Sequence, residues 1–302
     1  MLDEDLAEQR RELAELDRAS ARRFFNTDEP PLPTFLYKYM RSGHDAVHSF
    51  LVKSEFFMAS HRRFNDPFEF AAKIDVPSNP RDLEKALILF LGSQRMDLPD
   101  AVERAREMIA EGNVSGIYQD ALESAAASLG VTCLSAASRT PGERKMTSPR
   151  HPLLWAHYAD SHKGICLQFH TTRDPGFFGE FQPVRYSDDF LHLPIDVDKA
   201  TRHMQLQRLL HRKSSAWAYE HEYRRIDEAM AGQMASVRAE ALTGVVLGVR
   251  CVRSDLQNVK RALNARHLAG LPKLKVFRCQ PHQSAYRFTM VRATETEQQI
   301  YG

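Results

Sequence analysis

Two glutamates one residue apart, Glu220 and Glu222, carry the most legible chemistry in this chain. They lie in the run Trp217-Ala218-Tyr219-Glu220-His221-Glu222-Tyr223-Arg224-Arg225. A loop leading into a β-strand fits this run, because Tyr223, Arg225 and Ile226 suit a pleated, half-buried segment. Strand side chains alternate between faces. Glu220, Glu222 and Arg224 then share one face, and Tyr219, His221 and Tyr223 share the other. Two carboxylates held side by side repel, which raises the pKa of one and leaves the other in need of a partner. A fold tolerates such a pair most readily where the pair has a task. The plainer alternative is a solvated strand face with Arg224 balancing the charge.

Three further constellations stand out. Tyr37-Lys38-Tyr39, followed by Arg41, sets a cation between two aromatics on a strand. Lys38 could there hold a phosphate or a planar ring, or simply be a snorkelling edge lysine. The segment Leu154 to Gly164 contains Trp155, His157, Tyr158, Asp160 and His162. On a helix, His157 and Asp160 lie one turn apart, as do Tyr158 and His162. Such a helix either offers a Tyr and a His to a pocket or is a core helix anchored by Trp155. Phe64-Asn65-Asp66-Pro67-Phe68-Glu69 reads as a turn pinned to the core by its Phe residues, able at most to shape the rim of a site.

These residues need elements to hold them. Residues 1–30 read as an N-terminal helical extension, with Leu6, Leu13 and Leu16 near helical spacing and Pro30 closing it. It would pack on the body or serve as a homo-oligomer arm. Residues 31–302 read as a single α+β domain. Strands are expected near 35–39, 55–59, 131–135, 165–169, 183–186, 223–226, 243–249, 275–278 and 286–290. Helices are expected near 46–51, 81–91, 100–129 with breaks at Gly112 and Gly116, 152–162, 199–212 and 254–265. Short, unevenly spaced strands argue for a split or strongly twisted mixed β-sheet flanked by helices, not a regular βαβ series. The chain has neither GxGxxG nor GxxxxGK[ST], so dinucleotide-Rossmann and P-loop chemistry are not indicated.

Composition narrows the classes. With 302 residues, 43% apolar and 26% charged, the chain is an ordinary globular one. A net charge of +2 gives no strong field that would point to nucleic acid. The four cysteines are widely spaced and read as reduced core residues of a cytoplasmic protein. No apolar stretch approaches the ~20 residues of a membrane span, so no membrane partner is expected. The acidic, helical N-terminus is unlike a signal peptide.

Four segments occur in order: LYKY, FNDPFE, PLLWAHYADSHKGICLQF and WAYEHEYR. Together, from about Leu36 to Ile226, they resemble the bacterial domain-of-unknown-function family numbered twenty-nine seventy-one, whose name assigns no activity. A second resemblance is to ADP-ribosyltransferases. Those have a split sheet, an early strand with Arg or His beside an aromatic, a middle Tyr or Ser, and a late strand opening on Glu-x-Glu. This likeness implies an ADP-ribosyltransferase-like fold and glycosyltransferase chemistry with NAD as substrate. It implies Glu222 as the catalytic carboxylate and Glu220 as the companion that activates the acceptor. It further implies Tyr37, Lys38, Arg41, Trp155, Tyr158 and His162 around NAD, with no metal. The acceptor would be a protein, a nucleic acid, a small molecule or water, and the role that of a toxin or phage-defence effector. Lys38 departs from the usual Arg or His, and Tyr158 falls on a helix.

Two rival readings come from the residues themselves. In one, His157, Asp160 and His162 join Glu220 and Glu222 as ligands of a metal-dependent hydrolase or nuclease. The five-residue step between the two histidines fits one helix face poorly. In the other, the glutamates pair with arginines in a non-catalytic binding module.

Overall fold

The computed structural model describes residues 32–137, 148–195 and 199–293. In chain order its strands are β1 (Phe35–Met40), β2 (Glu55–Phe57), β3 (Ala72–Asp75), β4 (Gly130–Ala136) and β5 (Ile165–His170). Then come β6 (Gln182–Pro183), β7 (Arg185–Ser187), β8 (Leu191–Pro194), β9 (Arg212–Ser214) and β10 (Glu222–Asp227). The last are β11 (Met234–Ser236), β12 (Leu242–Leu247), β13 (Lys275–Pro281) and β14 (Phe288–Arg292). The α-helices are α1 (His44–His48), α2 (Pro80–Ser93), α3 (Leu98–Glu111), α4 (Val114–Ala126), α5 (Pro152–Tyr158), α6 (Pro175–Phe178), α7 (Lys199–Leu210) and α8 (Arg253–Leu268).

Eight strands form one sheet in the order β14-β13-β12-β5-β1-β4-β10-β6. Its pairs are antiparallel except β12 with β13, so the sheet is mixed. Helices flank it, and the class is α+β, as expected. The described residues from Pro33 onward belong to one compact unit. One apolar cluster joins α2, α3 and α4 to β4 through Leu87, Phe90, Met108, Tyr118, Leu122 and Val131. A second gathers Trp155 and Leu154 of α5 with Tyr37, Tyr39, Cys166 and Val246 of the sheet. Among the described residues no helix is long and apolar enough to cross a membrane. The N-terminal extension, and any oligomer arm it provides, lies outside the described residues.

Local chemistry sets the helix limits. Asn79 and Asp97 cap α2 and α3 by accepting the Arg81 and Asp100 amides, each with Pro in the first turn. Gly112 adopts φ +71° and closes α3, which divides the long helix expected over 100–129 into two.

Three expectations near the site need correction. The helix expected over 152–162 stops at Tyr158, because Asp160, Ser161 and His162 have φ of 47°, 52° and 73°. The Trp155 carbonyl accepts both the Ala159 and His162 amides, so the chain folds back instead of continuing. Tyr158 and His162 therefore do not stack one turn apart. Gly164 seats this reversal against β1: a Cβ there would lie 2.2 Å from the Met40 carbonyl oxygen. The short helix expected at 46–51 is α1 followed by a π-helical turn, Ser49–Lys53, ending on Ser54 at φ 56°. Finally, Glu220 is not on a strand. Ser215–Glu220 is a 3-10 turn, His221 has φ 44°, and β10 begins at Glu222.

Candidate active site

A cleft forms where β1 and β4 part. Their ladder runs over two pairs only, Leu36 with Ala136 and Tyr37 with Ser135. At the other end of β4, Ala59 makes an isolated antiparallel bridge to Val131. Between these points Lys38 takes over: its ammonium donates to the Cys133 carbonyl at 2.9 Å. The opening has a volume of about 470 Å³, within the range of small-molecule pockets. Its walls include Tyr37, Tyr39, Phe50, Phe57, Phe64 and Tyr158. The π-helical turn contributes Phe50.

Strand register carries the chemistry to this opening. Tyr37 lies opposite Ser135, which lies opposite Glu222, so the three form one row across β1, β4 and β10. Cys133 and Arg224 form the next row on the same face. Glu220 arrives from the 3-10 turn and is held by its backbone. Its carbonyl accepts the Ser135 hydroxyl, which contacts Ser148 at 2.6 Å, and Ser148 contacts the Tyr39 hydroxyl at 3.1 Å.

The floor is a buried network of five charged groups, none with a side chain more than 7% exposed. Arg224 donates from Nε to Glu222 Oε1 at 2.9 Å and from Nη2 to Glu222 Oε2 at 3.0 Å. It also reaches Glu69 at 2.9 Å and the Leu210 carbonyl at 2.6 Å. Lys213 sits among three carboxylates, at 2.9 Å from Glu220, 3.2 Å from Glu69 and 3.5 Å from Glu222. Its ammonium also lies 4.7 Å from the centroid of the Trp217 ring. Tyr158 donates to Glu220 Oε1 at 2.5 Å. Fully ionised, these three carboxylates and two cations leave the floor with one net negative charge.

The two neighbouring carboxylates are pushed apart in acidity. Burial raises Glu222, but Arg224 and Lys213 outweigh it and hold the carboxyl at about 2. Burial and the Glu222 charge raise Glu220, against the opposing pull of Lys213 and Tyr158. Burial works against the Lys213 charge too, yet Glu222, Glu220 and Glu69 hold its pKa above the ordinary value. Burial and Glu220 keep Tyr158 a neutral hydroxyl. The Cys133 thiol is raised by burial and by Glu222, so it is no thiolate nucleophile.

Of the residues singled out by sequence, the cleft brings together Tyr37, Lys38, Tyr158, Glu220 and Glu222, with His157 on its wall. Three do not reach it. Arg41 is exposed just past the end of β1. Trp155 is fully buried, with Nε1 donating to the Pro149 carbonyl at 2.7 Å and its ring edge-on to Tyr39, so no ligand can stack on it. His162 lies in the reversal after α5, its ring against Phe288 and its carbonyl accepting the Arg250 amide. Residues the sequence did not reveal are Lys213, Glu69 as part of the floor, and Arg63, whose guanidinium lies over Phe57 at the rim. Arg224 had a visible signal, since it stands two residues from Glu222 on the same strand face. Lys213 had none.

A metal site does not form from the proposed ligands. Among the described residues no group of three or more His, Cys, Asp or Glu side chains could hold a metal ion. Lys213 fills the position among the carboxylates that a divalent cation would need.

Residues 154–225 match the family model described as Protein of unknown function (DUF2971). No curated protein and no solved structure matches the chain. The matched segment runs from α5 into β10. It carries Tyr158, Lys213, Glu220, Glu222 and Arg224, the greater part of the charged floor.

Proposed function

We propose that this protein cleaves the bond between nicotinamide and ribose in NAD and passes ADP-ribose to an acceptor or to water. One observation carries the reading: a carboxylate pair with divergent acidities sits at the floor of an aromatic-walled cleft. Such divergence marks an acid–base division of labour. As nicotinamide leaves, the C1′–N bond breaks, its electron pair goes to the leaving ring, and positive charge develops on the ribose. Glu222, held ionised, supplies fixed negative charge to that cation, as in glycoside hydrolysis. Glu220, with its higher proton affinity, takes the proton of the attacking acceptor. Tyr37 and Tyr158 offer rings to the nicotinamide in place of Trp155. Lys38 and Arg63 offer cations to the pyrophosphate in place of Arg41.

A second reading, a binding pocket without chemistry, is favoured by the fact that every charge of the floor already has a partner. The deciding assay measures nicotinamide release from NAD by the intact chain, with and without cell lysate. Release that requires Glu222 supports the enzyme. NAD binding by calorimetry without release supports the binding module, and release abolished by a chelator would revive the metal hydrolase. The role as a toxin or phage-defence effector follows only if expression in bacteria depletes NAD.

A further inference from the structure

Five aromatic rings follow one another along one lip of the cleft. Tyr158, bonded to Glu220, has the His157 ring 6.3 Å away. His157 meets Trp217 at 5.7 Å, and Trp217 meets Tyr219 at 6.1 Å. Tyr219 then stacks on His151 at 5.0 Å and 16°. The rings come from two separate segments, α5 with its preceding residue and the 3-10 turn before β10. His157 is exposed and the other four are half-buried, so each keeps surface toward solvent. The core rings Trp155, Phe56 and Phe169 are sealed instead. His151 accepts the Leu153 amide at Nδ1, and burial lowers its pKa, so it is a neutral stacking ring. The row begins inside the cleft at Tyr158 and His157, which line it, and leaves the cleft through Trp217, Tyr219 and His151. Trp217 meets the charged floor through Lys213, while Tyr219 and His151 lie beyond the residues that line the cleft.

We infer that this row is a track for a single-stranded nucleic acid, whose bases stack along it and bring one base nitrogen to Glu220. A row of five rings is longer than one base requires. Every base has a π-face, so aromatic platforms bind single strands with little sequence preference. A duplex hides those faces. Exposed Arg150, next to His151, supplies a cation for the backbone. The net charge of +2 means that stacking, rather than a broad positive field, must carry the affinity. The transfer step rests on the NAD reading above. An amino nitrogen of the base attacks C1′ as the C1′–nicotinamide bond breaks. The electron pair of that bond leaves with neutral nicotinamide, and the proton of the attacking nitrogen passes to Glu220 and then to water.

The test separates the track from the chemistry. Fluorescence anisotropy of short labelled single-stranded DNA and RNA, without NAD, measures the track alone. Single strands should bind and the matching duplex should not. Binding should quench emission from Trp217, and the quench should vanish in Trp217→Phe. Tyr219→Leu should weaken binding roughly five- to hundredfold, the range for losing one base–aromatic stack. Tyr219→Phe keeps the ring and should bind as the parent does, which excludes misfolding as the cause. Nicotinamide release to water should be the same in both Tyr219 variants as in the parent. With adenylate-labelled NAD, the label should move to the single strand. Absence of single-strand binding, equal binding of duplex, or an unaffected Tyr219→Leu overturns the track. Label transferred to protein with no label on nucleic acid overturns its role as acceptor site. Oligonucleotide binding without any nicotinamide release leaves the track standing and removes the NAD reading.

Discussion

Replacing Glu222 by Gln should change stability in a way that depends on pH, and the size follows from its surroundings. The Glu222 carboxyl is held at about 2, against an ordinary 4.5. That gap is worth roughly 3 kcal/mol at about 1.4 kcal/mol per pH unit. Because the folded value is depressed, the contribution is fully present above the unfolded pKa. It is lost as pH falls from about 5 toward 2. Glu222→Gln also relieves Glu220 of a like charge, since the Glu222 charge is one cause of its raised pKa. This offsets part of the loss, so a net destabilisation of about 2–3 kcal/mol is expected at pH 7. Urea denaturation of parent and variant at pH 7, 5 and 3 reads it directly. The two stabilities should converge as pH falls. Parallel curves across that range would mean that the ion pair with Arg224 is not what Glu222 contributes, and the reasoning would fail. In the activity assay the same variant should lose ~10²–10³ in nicotinamide release, the usual cost of one stabilising group at developing charge.

Three other outcomes follow from the geometry. Lys213→Met leaves three carboxylates with Arg224 alone, and removing one partner of a buried ion pair costs about 3–5 kcal/mol; thermal unfolding should show the deficit shrinking below pH 7 as Glu220, whose folded pKa is raised, takes up a proton. Gly164→Ala would place a methyl 2.2 Å from the Met40 carbonyl, and a loss of about 1–3 kcal/mol in chemical denaturation is expected from the forced backbone shift. Nicotinamide release should survive EDTA unchanged, because the described carboxylates surround Lys213 and not an ion site.

The sequence was most readable where a single element decides the outcome. The apolar runs Ile165–Phe169 and Val131–Ser135 are central strands because both of their faces are covered. Gly112 divides a helix because its left-handed φ is open to glycine. The reading failed where three residues in succession share an uncommon backbone. Asp160-Ser161-His162 all adopt positive φ, a conformation that Asp and His tolerate but do not announce. It failed again at Trp155, since helical spacing cannot tell a ring facing a pocket from one facing the core. Lys213 and Glu69 were out of reach for another reason. Glu69 meets Arg224 across 155 residues of chain, and only the packing of β9 and the 64–69 turn under β10 creates that contact. Glu220 and Glu222 were found as a pair, but the logic was partly wrong. They converge because a 3-10 turn delivers Glu220 to the face that the strand gives Glu222, not because one strand carries both.

The uneven charge count of the floor leads to a sharper test of the ligand. Buried ion pairs seldom add stability over apolar residues of the same size, so three carboxylates against two cations leave an excess that folding alone does not require. Lys38 also lines the cleft, its ammonium on the Cys133 carbonyl, so a cationic ring gains from the excess only where it lies nearer Glu220 and Glu222 than Lys38. Oxidised nicotinamide carries that positive charge and its reduced form does not, while their shapes are nearly the same. One net charge at about 6 Å with an effective dielectric of about 20 interacts by roughly 3 kcal/mol. Water at the cleft mouth reduces this, and a preference of about tenfold for NAD over NADH is expected, equal to about 1.4 kcal/mol. The preference should grow as pH rises through the raised pKa of Glu220, because only then is the excess charge complete. Calorimetric titration of Glu222→Gln with both dinucleotides supplies the control, since removing one carboxylate balances the floor and should erase the difference. Equal affinity of the parent for NAD and NADH at pH 8 would refute the electrostatic reading of the cleft, whatever the assays of turnover show.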